Sequence, residues 1–250
     1  MISYPNVKLN LGLNVLRKRP DGYHDLETLF VPFPGITDVL EIRLASEDSI
    51  SVEGGNWDPH TDLCWKALGM LREDHDFPAV SILLTKRAPV GAGLGSGSSD
   101  CVFTMKMIDE MFSLGLSDDD FLGYASRLGS DCPFFVYNRP MIGEGRGEVL
   151  SPFDLDLSPY DIRVEVPAGV AVSTREAYAG IVPALPALPL REALSRPVGQ
   201  WKDVLVNDFE KSVFAAHPEI AALKDRFYDE GAVYAAMSGS GSAVFALFKK

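Results

Sequence analysis

The chain has 250 residues, 46% hydrophobic and 23% charged, with 22 glycines and 17 prolines, which excludes collagen-like and low-complexity sequence. A chain this long buries roughly 70–75% of the surface it exposes when unfolded, so neither a disulfide framework nor a structural metal is required. Its 23 basic residues against 35 acidic give a net charge of −12, which argues against nucleic acid as a partner, because such binders need a basic face to displace counterions.

Val7, Leu9 and Leu11 alternate with Lys8 and Asn10, a strand with one apolar and one polar face. On alternation alone, Lys8 reads as a solvated lysine. Residues 39–44 and 50–52 flank the polar turn Ser46-Glu47-Asp48, a pattern that predicts a hairpin. Helical spacing runs over 63–72, and 80–85 reads as a short strand. The best-defined helix follows Gly97, with Ser98, Ser99 and Asp100 as capping oxygens and Val102, Met105, Ile108, Met111 and Phe112 as its apolar stripe. A second helix takes Ser117 as cap and Asp118 to Asp120 as its first turn. Leu122, Ala125 and Leu128 face inward, and Gly129 follows its end.

Beyond residue 150 the pattern changes. A strand is expected at 162–166, then a proline-rich excursion over 182–197 with one short helix at 190–194. Helices over 207–216 and 219–228 and strands at 233–236 and 243–248 complete the reading. Strands and helices mix without a regular β-α-β period, which predicts an α+β protein divided near residue 150.

The most informative segment is Pro89-Val90-Gly91-Ala92-Gly93-Leu94-Gly95-Ser96-Gly97-Ser98-Ser99-Asp100, placed after a strand and at the start of the strongest helix. Glycine at every second position lets the backbone approach a ligand and turn its N–H groups inward. The helix N-terminus adds unpaired donors and partial positive charge, so the segment suits a polyphosphate. No lysine follows the last glycine, so it is not a Walker motif. A flexible linker or a tight β-to-α turn is the alternative reading.

This segment resembles the phosphate-binding loop of the GHMP kinase superfamily, and the resemblance extends over nearly the whole chain. Pro5-Asn6-Val7-Lys8-Leu9-Asn10-Leu11 looks like the family's opening strand, and Arg19-Pro20-Asp21-Gly22-Tyr23-His24 like a substrate loop. Gly129-Ser130-Asp131-Cys132-Pro133-Phe134-Phe135 resembles the segment of the catalytic acid, and Gly143 to Glu148 and Ser238-Gly239-Ser240-Gly241-Ser242 also match. The resemblance implies a two-lobed α+β fold, with an ATP-binding domain over 1–150 and a ferredoxin-like α/β sandwich substrate domain over 151–250. It implies ATP and Mg²⁺ as cofactors, with the nucleotide on residues 89–99 (Pro89 to Ser99). Lys8 and Asp131 are the implied catalytic pair, and Asp131 accepts the hydroxyl proton. On position alone, Asp131 reads equally well as a helix cap.

Asn10, Tyr23, His24, Thr174, Tyr178, Gly239 and Ser240 are implied on the substrate side, with aromatic rings flanking a cytosine. Asp21-Gly22-Tyr23-His24 selects, within the superfamily, phosphorylation of the 2-hydroxyl of a cytidyl diphosphate substrate in non-mevalonate isoprenoid synthesis. The alternatives are another small-molecule kinase of the superfamily, acting on mevalonate, homoserine or a sugar, or a non-catalytic nucleotide-binding protein on the same fold.

Three cysteines, Cys64, Cys101 and Cys132, are odd in number and lack zinc spacing, the usage of reduced thiols in a cytoplasmic protein. No basic-then-apolar leader or long apolar run occurs, so no signal peptide or membrane span is expected. The expected partners are the two small-molecule substrates, with the chain a monomer or homodimer and neither nucleic acid nor membrane involved.

Overall fold

The alternating segments at the start of the chain become two long strands, and the glycine segment becomes the entrance to the longest helix. The computed structural model describes residues 1–250. In chain order the elements are β1 (Ile2–Ser3), β2 (Asn6–Lys18), β3 (His24–Thr37), β4 (Val39–Leu44), β5 (Ser49–Glu53), α1 (Leu63–Asp74), β6 (Val80–Thr85), α2 (Ser96–Phe112), α3 (Asp118–Leu128) and α4 (Cys132–Tyr137). They continue with β7 (Met141–Gly145), β8 (Val149–Pro152), β9 (Tyr160–Glu165), α5 (Thr174–Ala179), α6 (Leu190–Leu194), α7 (Trp201–Val204), α8 (Glu210–Ala216), α9 (Pro218–Asp229), β10 (Tyr234–Met237) and β11 (Val244–Lys249).

Two compact units interleave along the sequence. One comprises residues 1–8, 32–90 and 95–139, and the other 9–31, 91–94 and 140–250. The divisions therefore fall inside β2, after Lys8, inside β3, after Val31, inside the glycine segment, after Val90 and again after Leu94, and beyond α4, after Arg139.

The first unit holds a four-stranded sheet of order β1-β4-β6-β5. Here the expected hairpin is corrected. β4 pairs antiparallel with β6, and β5 pairs parallel with the other side of β6. The Ser46-Glu47-Asp48 turn is thus a crossing rather than a hairpin tip. Asp48 explains the choice: its carboxylate accepts from the Val80 N–H at 2.8 Å and from Arg72 at 2.9 Å, fastening the turn to the start of β6. Residues Leu40, Ile42, Val80, Ile82 and Leu84 bury one face of this sheet, as the period of two requires. α1 contributes Ala67, Leu68 and Leu71 to the core and α2 contributes Val102, Met105 and Ile108.

The start of α2 is also corrected. The helix begins at Ser96, with Gly95 in the cap position at φ +69° and no side-chain capping bond. Ser98, Ser99 and Asp100 therefore lie inside the first turns. α3 follows expectation at its entrance, where Ser117 and Asp120 form a reciprocal capping box. Its buried residues are Phe121, Tyr124 and Ala125, with Leu122 and Leu128 half-buried.

In the second unit the sheet β10-β11-β9 is antiparallel throughout, an α/β sandwich with α9 packed against β10 and β11. Val213, Ile220, Leu223 and Phe227 meet Ala235, Met237, Val244, Ala246 and Phe248 in one core cluster. A further sheet has the order β2-β3-β7-β8. Asn6 to Val15 of β2 are buried on both faces, so the polar face expected of this strand does not meet solvent. The short helix at 190–194 appears as α6. All three cysteines are free and buried. No helix is long and apolar enough to cross a membrane.

Candidate active site

Within the first unit, Lys8 and Asp131 come together although 123 positions separate them in sequence. Lys8 Nζ lies 3.4 Å from Asp131 Oδ2, with the lysine side chain 4% exposed and the aspartate 34% exposed. A buried ammonium is costly unless a counter-charge compensates it, and Asp131 supplies one. Asp131 stands in the cap position of α4 but makes no side-chain capping bond, which removes the helix-cap reading of this residue. Its partial exposure leaves the carboxylate open to a substrate hydroxyl.

The glycine segment adjoins this pair. A Cβ built on Gly95 would stand 3.1 Å from Lys8 Cε and 3.4 Å from Asp131 Oδ2. Only a residue without a side chain brings the start of α2 this close to the ion pair. Gly91, Gly93 and Gly95 have φ of +69°, +78° and +69°, left-handed at every second residue, the alternation that turns successive N–H groups to one side as an anion cradle. Behind it, Ser99 Oγ and Asp100 Oδ1 are buried without hydrogen-bond partners.

A cluster that sequence reading missed supports this turn. Lys86, at the end of β6, donates to Asp38 and to Asp100 Oδ2 (2.5 Å), and reaches Ser96 Oγ at 3.2 Å. Asp38 Oδ1 also accepts from the Arg87 and Ala88 N–H groups at 2.6 and 2.8 Å. One ammonium faces two buried carboxylates, so the cluster holds protons tightly. Burial, with Asp38 adding to it against the pull of Lys86, pushes the Asp100 carboxyl up to about 8. The Lys86 ammonium is raised as its carboxylate partners outweigh burial.

In the second unit, Asn10 is 2% exposed and is held in place rather than solvated. Its Nδ2 donates to Thr28 Oγ1 at 3.0 Å, and its N–H donates to Ser238 Oγ at 3.3 Å. Ser238 Oγ in turn donates to the Gly93 carbonyl at 3.1 Å, and the Ala243 N–H donates to the Ala92 carbonyl at 3.0 Å. The two glycine loops are therefore tied together, and Ser238, which sequence reading passed over for Gly239 and Ser240, makes the tie. Asn207 fixes the second loop through the Met237 and Gly239 carbonyls, each at 2.8 Å.

The aromatic residues expected on the substrate side also gather in this unit. The His24 ring stacks on Tyr178, with centroids 4.9 Å apart and planes at 26°. Tyr178 meets Phe209 edge-on at 4.8 Å, which fixes its ring. Tyr23 is 55% exposed and lies under the Arg146 guanidinium at 4.9 Å. Arg146 is a second residue that sequence reading did not single out; its signal was the Gly143-Glu144-Gly145-Arg146-Gly147-Glu148 run. Thr174 Oγ1 sits 3.4 Å from Ser240 Oγ. Burial, with Lys18 nearby, pushes the His24 imidazole down, so it is neutral at physiological pH and offers one donor and one acceptor nitrogen.

For a divalent cation the chain offers no group of three or more acidic, histidine or cysteine side chains. Asp100 is engaged by Lys86 and is a poor ligand. The orphaned Ser99 hydroxyl, with Ser98 beside it at the start of α2, fits a magnesium ion that keeps water and phosphate oxygens as its other ligands.

The profile of the GHMP kinases N terminal domain matches residues 62–139, and that of GHMP kinases C terminal matches residues 186–250. The chain belongs to the GHMP kinase family. Within that family, it is 48% identical over 257 residues to a 4-diphosphocytidyl-2-C-methyl-D-erythritol kinase of Bacteroides thetaiotaomicron, covering 100% of this chain and 92% of that protein. A kinase of the same name from Chlorobium phaeobacteroides is 37% identical, covering 97% of this chain and 87% of its own length. The crystal structure of a 4-(cytidine 5'-diphospho)-2C-methyl-D-erythritol kinase superposes with a TM-score of 0.85 at 33% identity, covering 99% of this chain and 90% of that one. A homoserine kinase from Cytophaga hutchinsonii, 18% identical with a TM-score of 0.65 over 98% of this chain and 85% of that one, shares the fold.

Proposed function

We propose that the chain transfers the γ-phosphoryl group of ATP to the 2-hydroxyl of 4-diphosphocytidyl-2-C-methyl-D-erythritol, in the non-mevalonate route to isoprenoid precursors. The observation that carries this reading is the buried Lys8 ammonium at 3.4 Å from a half-open Asp131 carboxylate, with Gly95 of the glycine segment packed against both. Full-length relatives that bear the kinase's name support the choice of substrate.

Asp131 orients the acceptor hydroxyl and takes its proton as the oxygen–phosphorus bond forms. The bond to the bridging oxygen breaks in line, and ADP leaves. Phosphoryl transfer passes through a loose transition state, which asks for orientation and charge neutralisation more than for a strong base. Lys8 supplies positive charge where negative charge gathers on the transferred group. Residues 89–99 (Pro89 to Ser99) hold the nucleotide phosphates. Ser98 and Ser99 would hold Mg²⁺ together with the phosphates, and the ion would offset phosphate charge there.

On the substrate side, the Tyr178 and Tyr23 rings offer π-faces to the cytosine, with His24 for its polar edge. Asn10, Thr174, Gly239 and Ser240 complete the contacts. Residues 1–150 act as the ATP-binding domain and 151–250 as the substrate domain. Three free cysteines support a cytoplasmic location, where the chain works as a monomer or homodimer.

The test is ADP release measured with a panel of acceptors. Turnover is expected with the cytidyl diphosphate substrate and not with mevalonate, homoserine or galactose. Preference for one of the latter would move the chain to another branch of the family, and ATP binding without turnover of any acceptor would make it a nucleotide-binding protein.

A further inference from the structure

Asn6 and Asn138 face each other with both amides, although they are far apart in sequence. Asn6 Nδ2 donates to Asn138 Oδ1 at 3.1 Å, and Asn138 Nδ2 donates back to Asn6 Oδ1 at 2.8 Å. Asn6 is buried and Asn138 half-buried. Asn6 stands two residues before Lys8 on β2, so the two side chains leave the same face of the strand. Asp131 and Asn138 flank α4 at its two cap positions. The helix is therefore tied to one face of β2 at both ends, by Asn138 to Asn6 and by Asp131 to Lys8.

Local preference does not account for the pair. Asn138 has φ +47°, and asparagine suits a left-handed helix end. Asn6, however, has no cap to make, and asparagine is depleted in strands. Asp131 needs an outside constraint, because α4 gives its carboxylate no capping bond. The contacts of Lys106 Nζ with the Phe135 and Val136 carbonyls at 3.0 and 2.7 Å fasten the end of α4 to α2, not to β2.

We propose that Asn6 and Asn138 are positioning residues for phosphoryl transfer: their reciprocal amide pair sets the register of α4 on β2 and, through it, the separation of Lys8 from Asp131. The inference rests on the roles proposed for Lys8 and Asp131. A change of register moves the carboxylate relative to the ammonium and leaves the glycine segment in place. Its effect therefore falls on kcat and spares the KM for ATP.

The experiment compares Asn138→Gly, which keeps the left-handed helix end, with Asn6→Ala and the double variant, each in the wild-type chain and in Asp131→Asn. Steady-state kinetics and thermal unfolding are measured for all. Each single variant is expected to lower kcat about tenfold, a displacement of well under 1 Å by the usual sensitivity of positioned groups, with the KM for ATP within about twofold. The double variant is expected to be no worse than the poorer single one, and neither change should lower the residual rate of Asp131→Asn. If Asn6→Ala does not fold, Asn138→Gly alone decides. Unchanged kcat in the amide variants beside an impaired Asp131→Asn overturns the inference alone, as does an equal further loss in the Asp131→Asn background. Full activity of Asp131→Asn overturns the assignment of the pair and the inference with it.

Discussion

Lys8 has a buried ammonium whose counter-charge is the partly exposed Asp131 carboxylate, the group proposed to engage the substrate. Removing the carboxylate's charge while keeping its shape separates these roles. Asp131→Asn is expected to fold and bind ATP, with kcat lower by roughly 10²–10⁴, the range for a positioned acid–base group. Lys8→Met removes the ammonium and leaves the Asp131 carboxylate, 34% exposed, to solvent, so its kcat is expected to fall comparably. ADP release and thermal unfolding on the same samples check both. At this scale, the pair was legible only through the family resemblance. Alternation in 7–11 gave Lys8 a polar face but not its burial, whereas Asn6 to Val15 of β2 are all buried in the folded chain. The Lys86 cluster left no trace in sequence spacing, since Asp38, Lys86 and Asp100 sit on three segments that only the folded sheet and helix bring together.

Among the elements, the first glycine loop and the helix α5 carry the proposed nucleotide and substrate contacts respectively. Gly93 is locked twice, by its left-handed backbone and by the Ser238 carbonyl, with which an added Cβ would collide. Gly93→Ala is therefore expected to break the tie between the two glycine loops and raise the KM for ATP by at least tenfold, about 1.4 kcal/mol, whereas Gly69→Ala on α1, where a Cβ also meets nothing and no nucleotide contact is proposed, changes it little. Titration of ATP in the kinetic assay distinguishes the two positions. On α5, Tyr178 presents the face that His24 now covers, and base stacking on such a ring contributes ~1–3 kcal/mol. Tyr178→Ala is expected to raise the KM for the cytidyl substrate about five- to 150-fold on that basis, with the KM for ATP unchanged; equal changes in both would remove base stacking from its role. Elements bounded by strong local signals were readable from sequence: the Ser117 cap and the 190–194 helix both appear where spacing put them. The failures arose where partners lie far along the chain. β5 looked like the return of β4 because the turn at Asp48 is polar, yet β6 takes the place between them. α2 starts early because a left-handed Gly95, not a side-chain oxygen, begins it.

For the molecule as a whole, the buried Lys86–Asp38–Asp100 cluster links pH to global stability with a definite sign. In the folded chain the Asp100 carboxyl holds its proton up to about 8, against an ordinary value of 3.8. Between those limits the folded state binds more protons than the unfolded state, so this group lowers the free energy of unfolding as pH rises. The depressed carboxylates act elsewhere: Asp48, held down by Arg72 and the Val80 N–H against its burial, adds stability that is lost only as pH falls below the ordinary carboxylate range. Glu27 and Asp208, both raised by burial, slope in the same direction as Asp100, and His24, lowered by burial, in the opposite one. A single profile therefore mixes several slopes, and the difference between wild type and Asp100→Asn isolates one. Relative to wild type, Asp100→Asn is expected to gain stability steadily from about pH 4 to about pH 8, because the amide has no proton to lose. Chemical denaturation at stepped pH measures that difference, and parallel curves for the two proteins would mean that Asp100 carries no proton in the folded chain.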